Sequence, residues 1–83
     1  MKINLLKKEE KMETKIIKIA SELFESNITI ESKIGDVENW DSLGQINLFM
    51  AIESDLGLSF DPDDVIANDT IKKIIELIDR NKL

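Results

Sequence analysis

The chain has no cysteine and no histidine. Without cysteine there is no disulfide framework and no thiolate chemistry. Without histidine the commonest general base and the commonest metal ligand are both gone. Long apolar stretches are missing as well. The longest unbroken run is Leu48–Ile52, far short of the ~20 residues that span a bilayer. The first residues are basic, but charges resume straight after Leu6, so no signal-peptide core is present. Positive charge is in short supply: 11 Lys and Arg stand against 17 Asp and Glu, a net −6. That balance argues against a protein that grips nucleic-acid phosphates, and it suits basic partners. The expectation is a cytoplasmic protein with no nucleic-acid or membrane partner. Its 83 residues make one domain, 1–83, with a single modest core.

What is present is helical periodicity. Met12, Ile16, Ile19, Ala20 and Leu23 recur at three and four, with Ile17 and Phe24 widening the face. They predict a first helix over about Lys7–Glu25, with residues 1–8 read as an N-terminal extension. Ser26–Trp40 has no sustained period but many turn formers, among them Asn27, Gly35 and Asp36. Its apolar residues Ile28, Ile30, Ile34, Val37 and Trp40 predict a long loop pinned to the core. Ile28–Ile30 is too short, and too lacking in a partner run, to be read as a strand. A second helix is predicted from Ser42 to Leu56, with Gly57 as its C-cap. Pro62 suits the first position of a short helix capped by Asp61, with Asp63 and Asp64 in its first turn. Thr70 or Ile71 opens a last helix to about Asn81. Its apolar face is Ile71, Ile74, Ile75 and Ile78, with Leu77 beside them and Glu76 paired to Arg80 at i,i+4. Three longer helices and a short one, with no strand pair, predict an all-α four-helix bundle.

The second helix carries the chemistry. Asp41 is a good N-cap, able to accept from free backbone N–H groups of the next residues. Ser42 then sits where those groups and the helix dipole favour an anion, such as a phosphate ester on the serine oxygen. Helix-start chemistry alone also accounts for an Asp-Ser pair. Nucleophilic catalysis does not fit, because no histidine or cysteine can activate the serine. A serine that only receives a group needs no base of its own. Asp61, Asp63 and Asp64 lack the further ligands and the glycine of a calcium loop, so no metal is expected. Trp40 reads as a loop anchor more readily than as a binding platform. Leu43, Ile46, Leu48, Phe49, Met50, Ile52 and Leu56 cover more of the helix than the ~100° stripe that one core needs. The excess means burial on several sides or an apolar edge kept for a partner.

These residues, taken together, resemble the acyl carrier protein family. Asp41-Ser42-Leu43 followed by Ile46, Leu48, Met50, Ala51, Ile52, Glu53 and Leu56 looks like its serine helix. The likeness continues through Gly57–Phe60, Asp61–Val65 and Asp69-Thr70-Ile71. Upstream it takes in Met12, Ile16, Ile17 and the loop to Trp40, so that it covers about Glu9 to Asn81. The resemblance implies a single carrier domain of the acyl-carrier four-helix type. It also implies that Ser42, flanked by Asp41 and Leu43, is esterified with 4′-phosphopantetheine from coenzyme A. A magnesium-dependent phosphopantetheinyl transferase would perform that step. The arm's thiol would carry an acyl group as a thioester, and the domain itself would catalyse nothing. Phe49, Ile52, Phe60, Val65 and Ile74 would line an acyl pocket. Leu43, Gly44, Asn47 and Met50 would face the acyl-transferring and acyl-modifying partner enzymes of a monomeric carrier.

Three positions depart from the housekeeping fatty-acid pattern. Gly44 and Asn47 stand where acidic residues are common, and Trp40 stands where a small residue is usual. A tryptophan there is similar to carriers of specialised pathways. Peptidyl carriers usually place glycine before the serine, where this chain has Asp41. A D-alanyl or other aminoacyl carrier, and an unmodified helical adaptor, stay open at this point.

Overall fold

In a computed structural model, which describes residues 11–81, four helices follow one another: α1 Met12–Phe24, α2 Ser42–Leu56, α3 Pro62–Ala67 and α4 Ile71–Asn81. The expected start of the first helix near Lys7, and the extension over 1–8, lie outside the described residues. The described residues contain no β-strand, only one isolated antiparallel bridge between Lys33 and Thr70. The fold is the all-α four-helix bundle that the periodicity predicts, of the acyl-carrier type that the resemblance implies. α1 packs against both α2 and α4, and α3 rests on α2.

Local chemistry sets the helix ends. Gly57 closes α2 in the left-handed conformation at φ 69° and ψ 33°, and its N–H bonds the Glu53 carbonyl. Glycine alone adopts that geometry without steric cost. α1 ends on Glu25 in the same region, φ 51°, with its N–H on the Ser21 carbonyl. Pro62 opens α3 after an extended Asp61, and the Asp64 side chain reaches back to accept from the Asp61 N–H at 3.3 Å. Thr70 caps α4, its Oγ1 accepting from the Lys73 N–H at 3.0 Å. The ion pair on this helix's approach is Lys73 with Asp69, 3.3 Å. Among the described residues the expected Glu76–Arg80 pair does not form.

The core draws on every part except α3. Ile16, Ala20 and Phe24 come from α1, Leu48, Phe49 and Ile52 from α2, and Ile71, Ile74, Leu77 and Ile78 from α4. The buried stripe of α4 therefore takes in Leu77 and leaves Ile75 half-buried. The long loop supplies Ile28 and Trp40, with Ile30, Ile34 and Val37 packed against the rest. Each fully buried Ile or Leu contributes roughly 1.5–3 kcal/mol, which explains how so irregular a segment is held down. Backbone bonds finish the task. The Ile34 N–H donates to Asp69 O and the Ile71 N–H donates to Ser32 O, both at 3.0 Å. The loop is thereby stitched to the start of α4.

Candidate functional site

The site is built where the loop turns into α2. Asp41 is extended and its Oδ1 accepts from the Gly44 N–H at 2.8 Å. Its backbone carbonyl takes the Gln45 N–H, also at 2.8 Å. The carboxylate is thus turned along the helix start and satisfies one of the donors that every α-helix leaves open there. Ser42 and Leu43, the first two helical residues, have no acceptor inside the helix for their N–H groups. Ser42 is exposed. Its hydroxyl stands at the positive end of a helix of 15 residues, an environment suited to a phosphate ester.

Clefts lie to either side of this serine. One, about 520 Å³, runs between α1 and the start of α2, lined by Leu23, Phe24, Glu38, Asn39, Asp41, Leu43, Gly44 and Asn47. The other, about 250 Å³, lies toward α3 and includes Ser42 itself with Ile34, Gln45, Ile46, Val65, Ile66 and Asp69. The apolar excess of α2 resolves into a buried side and an exposed edge. Leu48, Phe49 and Ile52 are buried, whereas Leu43 is 65% exposed, Met50 58% and Ile46 48%. Ile66 of α3 adds another apolar side chain to the outside, 78% exposed.

One expected surface residue is not at the surface. Gly44 is buried. A Cβ built on it would overlap the backbone carbonyl of Asn39 and come within 3.2 Å of the Phe24 ring. The glycine lets the loop and α1 close on α2, and the placing of Gly44 on the partner-facing edge is corrected accordingly. Asn47 is exposed, as are Leu43 and Met50. Of the residues expected to line an acyl pocket, Phe49, Ile52 and Ile74 are buried members of the core. Phe60 is half-buried and packs edge-on against Phe49, ring centroids 5.1 Å apart. Val65 is half-buried and lines the cleft beside Ser42.

The sequence matches the family described as phosphopantetheine attachment site over residues 3–78. The chain belongs to that family. Its members attach 4′-phosphopantetheine covalently, so this is a phosphopantetheine-carrying carrier protein with the cofactor that the sequence implied. Neither a curated protein nor a solved structure gave a significant match. No group of three or more His, Cys, Asp or Glu residues among those described is arranged to hold a metal. No helix among them is long and apolar enough to cross a membrane.

For this carrier fold the residue that sequence reasoning missed is Gln45. It is only 4% exposed. Its Oε1 accepts from the indole Nε1–H of Trp40 at 2.7 Å. Its Nε2 donates to the carbonyls of Val65 at 2.9 Å and Asn68 at 2.7 Å. Trp40 is fully buried and stacks on Phe24 with ring centroids 5.3 Å apart, so it anchors the loop as expected. The anchor works through a polar partner as well as through apolar area. Glu53 has a similar bracing role lower on α2, its Oε2 accepting from the Phe60 N–H at 2.9 Å.

Proposed function

We propose that Ser42 is the residue that receives the arm, and that the chain carries acyl groups as thioesters between partner enzymes. One observation carries the reading. Within the span that matches the family, Ser42 is an exposed serine at the first position of a capped helix. In the loading reaction the Ser42 hydroxyl gives its proton to a base of the transferase. Its oxygen takes the phosphopantetheine phosphate of coenzyme A, and adenosine 3′,5′-bisphosphate leaves. The arm supplies the thiol that a chain without cysteine lacks. Asp41 holds the helix start in register, so that the serine is presented and the nearby N–H groups face the new phosphodiester. Leu43, Asn47 and Met50, exposed on the same helix, meet the partner enzymes.

The pathway we favour is a specialised one, with the protein acting as a cytoplasmic monomer. Support comes from the absence of charge along α2 between Ser42 and Ala51 and from Trp40 before the Asp-Ser pair. An aminoacyl cargo uses the same arm and the same serine, and cargo analysis separates the two. The test is intact mass after incubation with coenzyme A, magnesium and a broad-specificity phosphopantetheinyl transferase. The wild type gains one arm and Ser42→Ala gains none. A wild type that several such transferases leave unmodified favours an adaptor instead. Intact mass of the protein from its own host then reports the acyl or aminoacyl group.

A further inference from the structure

Gln45 lies between the exposed Ser42 and the core residues of α2. Residues 42, 45, 49 and 52 follow one another at spacings of three, four and three, along one face of α2. Ser42 is at the exposed end of that row, and Phe49 and Ile52 lie in the core. Between them is the Gln45 amide, with both of its N–H donors in use and its oxygen accepting one bond. Trp40 donates to its oxygen, and its nitrogen donates to Val65 O and Asn68 O. Val65 belongs to α3, and Asn68 is the residue that ends α3. The amide therefore clasps α3 to α2 across the seam between them. The cleft beside Ser42 reaches this clasp: Gln45 is the buried member of its lining, and neither Phe49 nor Ile52 lines it. An alkyl chain passing inward from that cleft between α2 and α3 would have to part these bonds. It offers no donor or acceptor in exchange, and a buried amide or carbonyl without a partner is costly.

We propose that Gln45 is a specificity-determining residue that keeps the α2–α3 seam shut. The acyl group then stays in the surface cleft of Ile34, Ile46, Val65 and Ile66 or inside a partner enzyme, and the cargo is short or polar. This rests on the reading that Ser42 bears an acyl-carrying arm.

The experiment loads the whole chain from acetyl-, hexanoyl- and decanoyl-coenzyme A with a broad-specificity transferase, and checks each product by intact mass. Two variants accompany the wild type. Gln45→Met keeps length and volume but cannot donate to the carbonyls. Trp40→Phe removes the indole donor and leaves both carbonyl bonds. The readouts are the thermal unfolding midpoint relative to the acetyl form, and the methyl NMR shifts of Ile52 and Ile74. For the wild type and Trp40→Phe, neither changes with chain length. For Gln45→Met, the decanoyl form unfolds several degrees above the acetyl form and both methyls shift. A general loosening of the bundle would give Trp40→Phe the same chain-length dependence, which overturns a specific role for Gln45. Decanoyl-dependent methyl shifts in the wild type overturn the proposal even where Gln45→Met fails to fold. A folded Gln45→Met that is indifferent to chain length does so too. Absence of any mass gain overturns the attachment reading and this proposal with it. It is told apart from the other outcomes because mass is read first.

Discussion

Gly44 sits under the Asn39 carbonyl, and that contact decides what can replace it. Helix propensity favours Ala over Gly by about 1 kcal/mol. Overpacking a close contact costs about 1–3 kcal/mol, and a backbone carbonyl cannot swing aside as a flexible side chain can. The steric effect wins. Gly44→Ala and Gly44→Asp are expected to lower the urea midpoint, although both improve the helix on propensity alone. A variant as stable as the parent would show that the loop yields freely at Asn39. The neighbouring cap works in the opposite sense. Asp41→Ala removes the acceptor of the Gly44 N–H, and is expected to cost about 0.5–2 kcal/mol and to slow loading of Ser42. Unchanged unfolding and unchanged loading would deny Asp41 both roles. The cap was legible in the sequence because donor and acceptor lie three residues apart. Gly44 and Gln45 were not, because their roles depend on groups brought in from elsewhere: Asn39 and Trp40 on the loop, Val65 and Asn68 around α3. In a mostly apolar helix a glutamine reads as a solvent-facing residue. Only the tertiary structure shows three partners waiting for it.

Among the elements, α2 and α3 differ most in how they are held. α2 buries Leu48, Phe49 and Ile52. α3 has six residues and buries none of its side chains. A helix that short does not persist in water by itself, so α3 is held by the Gln45 amide, by the Glu53 carboxylate on the Phe60 N–H and the half-buried Phe60 just before it, and by its own half-buried Val65. Elements with few buried contacts open at the low end of the stability range. Native-state hydrogen exchange is therefore expected to show amides of α3 opening at lower free energy than those of Ile16, Phe49 or Ile74. Equal protection would place α3 in the same cooperative unit as the core. The helices themselves were readable from periodicity and caps, which are local. The long loop was readable only as a pinned segment. Its bonds to the start of α4, from the Ile34 N–H to Asp69 O and from the Ile71 N–H to Ser32 O, join residues 35 and 39 positions apart and leave no periodic trace.

At the scale of the whole molecule the question is where the charge lies relative to Ser42. The net charge is −6, yet α2 carries no charged residue between Ser42 and Ala51. The exposed edge there consists of Leu43, Ile46, Asn47 and Met50. Glu38 and Asp41 lie on the loop before it, and Asp55, Asp61 and Asp63 are exposed beyond its far end. At 1.5 Å per residue Asp55 is roughly 20 Å along the helix from Ser42, about two screening lengths at physiological salt. A basic partner thus finds little charge to pair with on the helix that bears the arm. An exposed ion pair is worth about 0.2–1 kcal/mol, up to about fivefold in rate when the pair forms on docking. The arm-bearing wild type is accordingly expected to be a poor substrate for a housekeeping malonyl transferase, with a shallow dependence on salt. Asn47 is the place to restore charge, since Gly44 has no room for a side chain. Asn47→Glu is expected to raise the rate up to several-fold at low salt and less at high salt, with an unfolding midpoint close to the parent's. Initial rates across an ionic-strength series on both proteins make the comparison. If the wild type already matches a housekeeping carrier at physiological salt, the far acids and the loop suffice for steering, and the specialised-pathway reading loses its electrostatic support. If Asn47→Glu gains nothing at low salt while folding normally, docking on this helix is governed by the apolar contacts of Leu43 and Met50. Truncating those two to Ala should then cut the rate equally at every salt concentration.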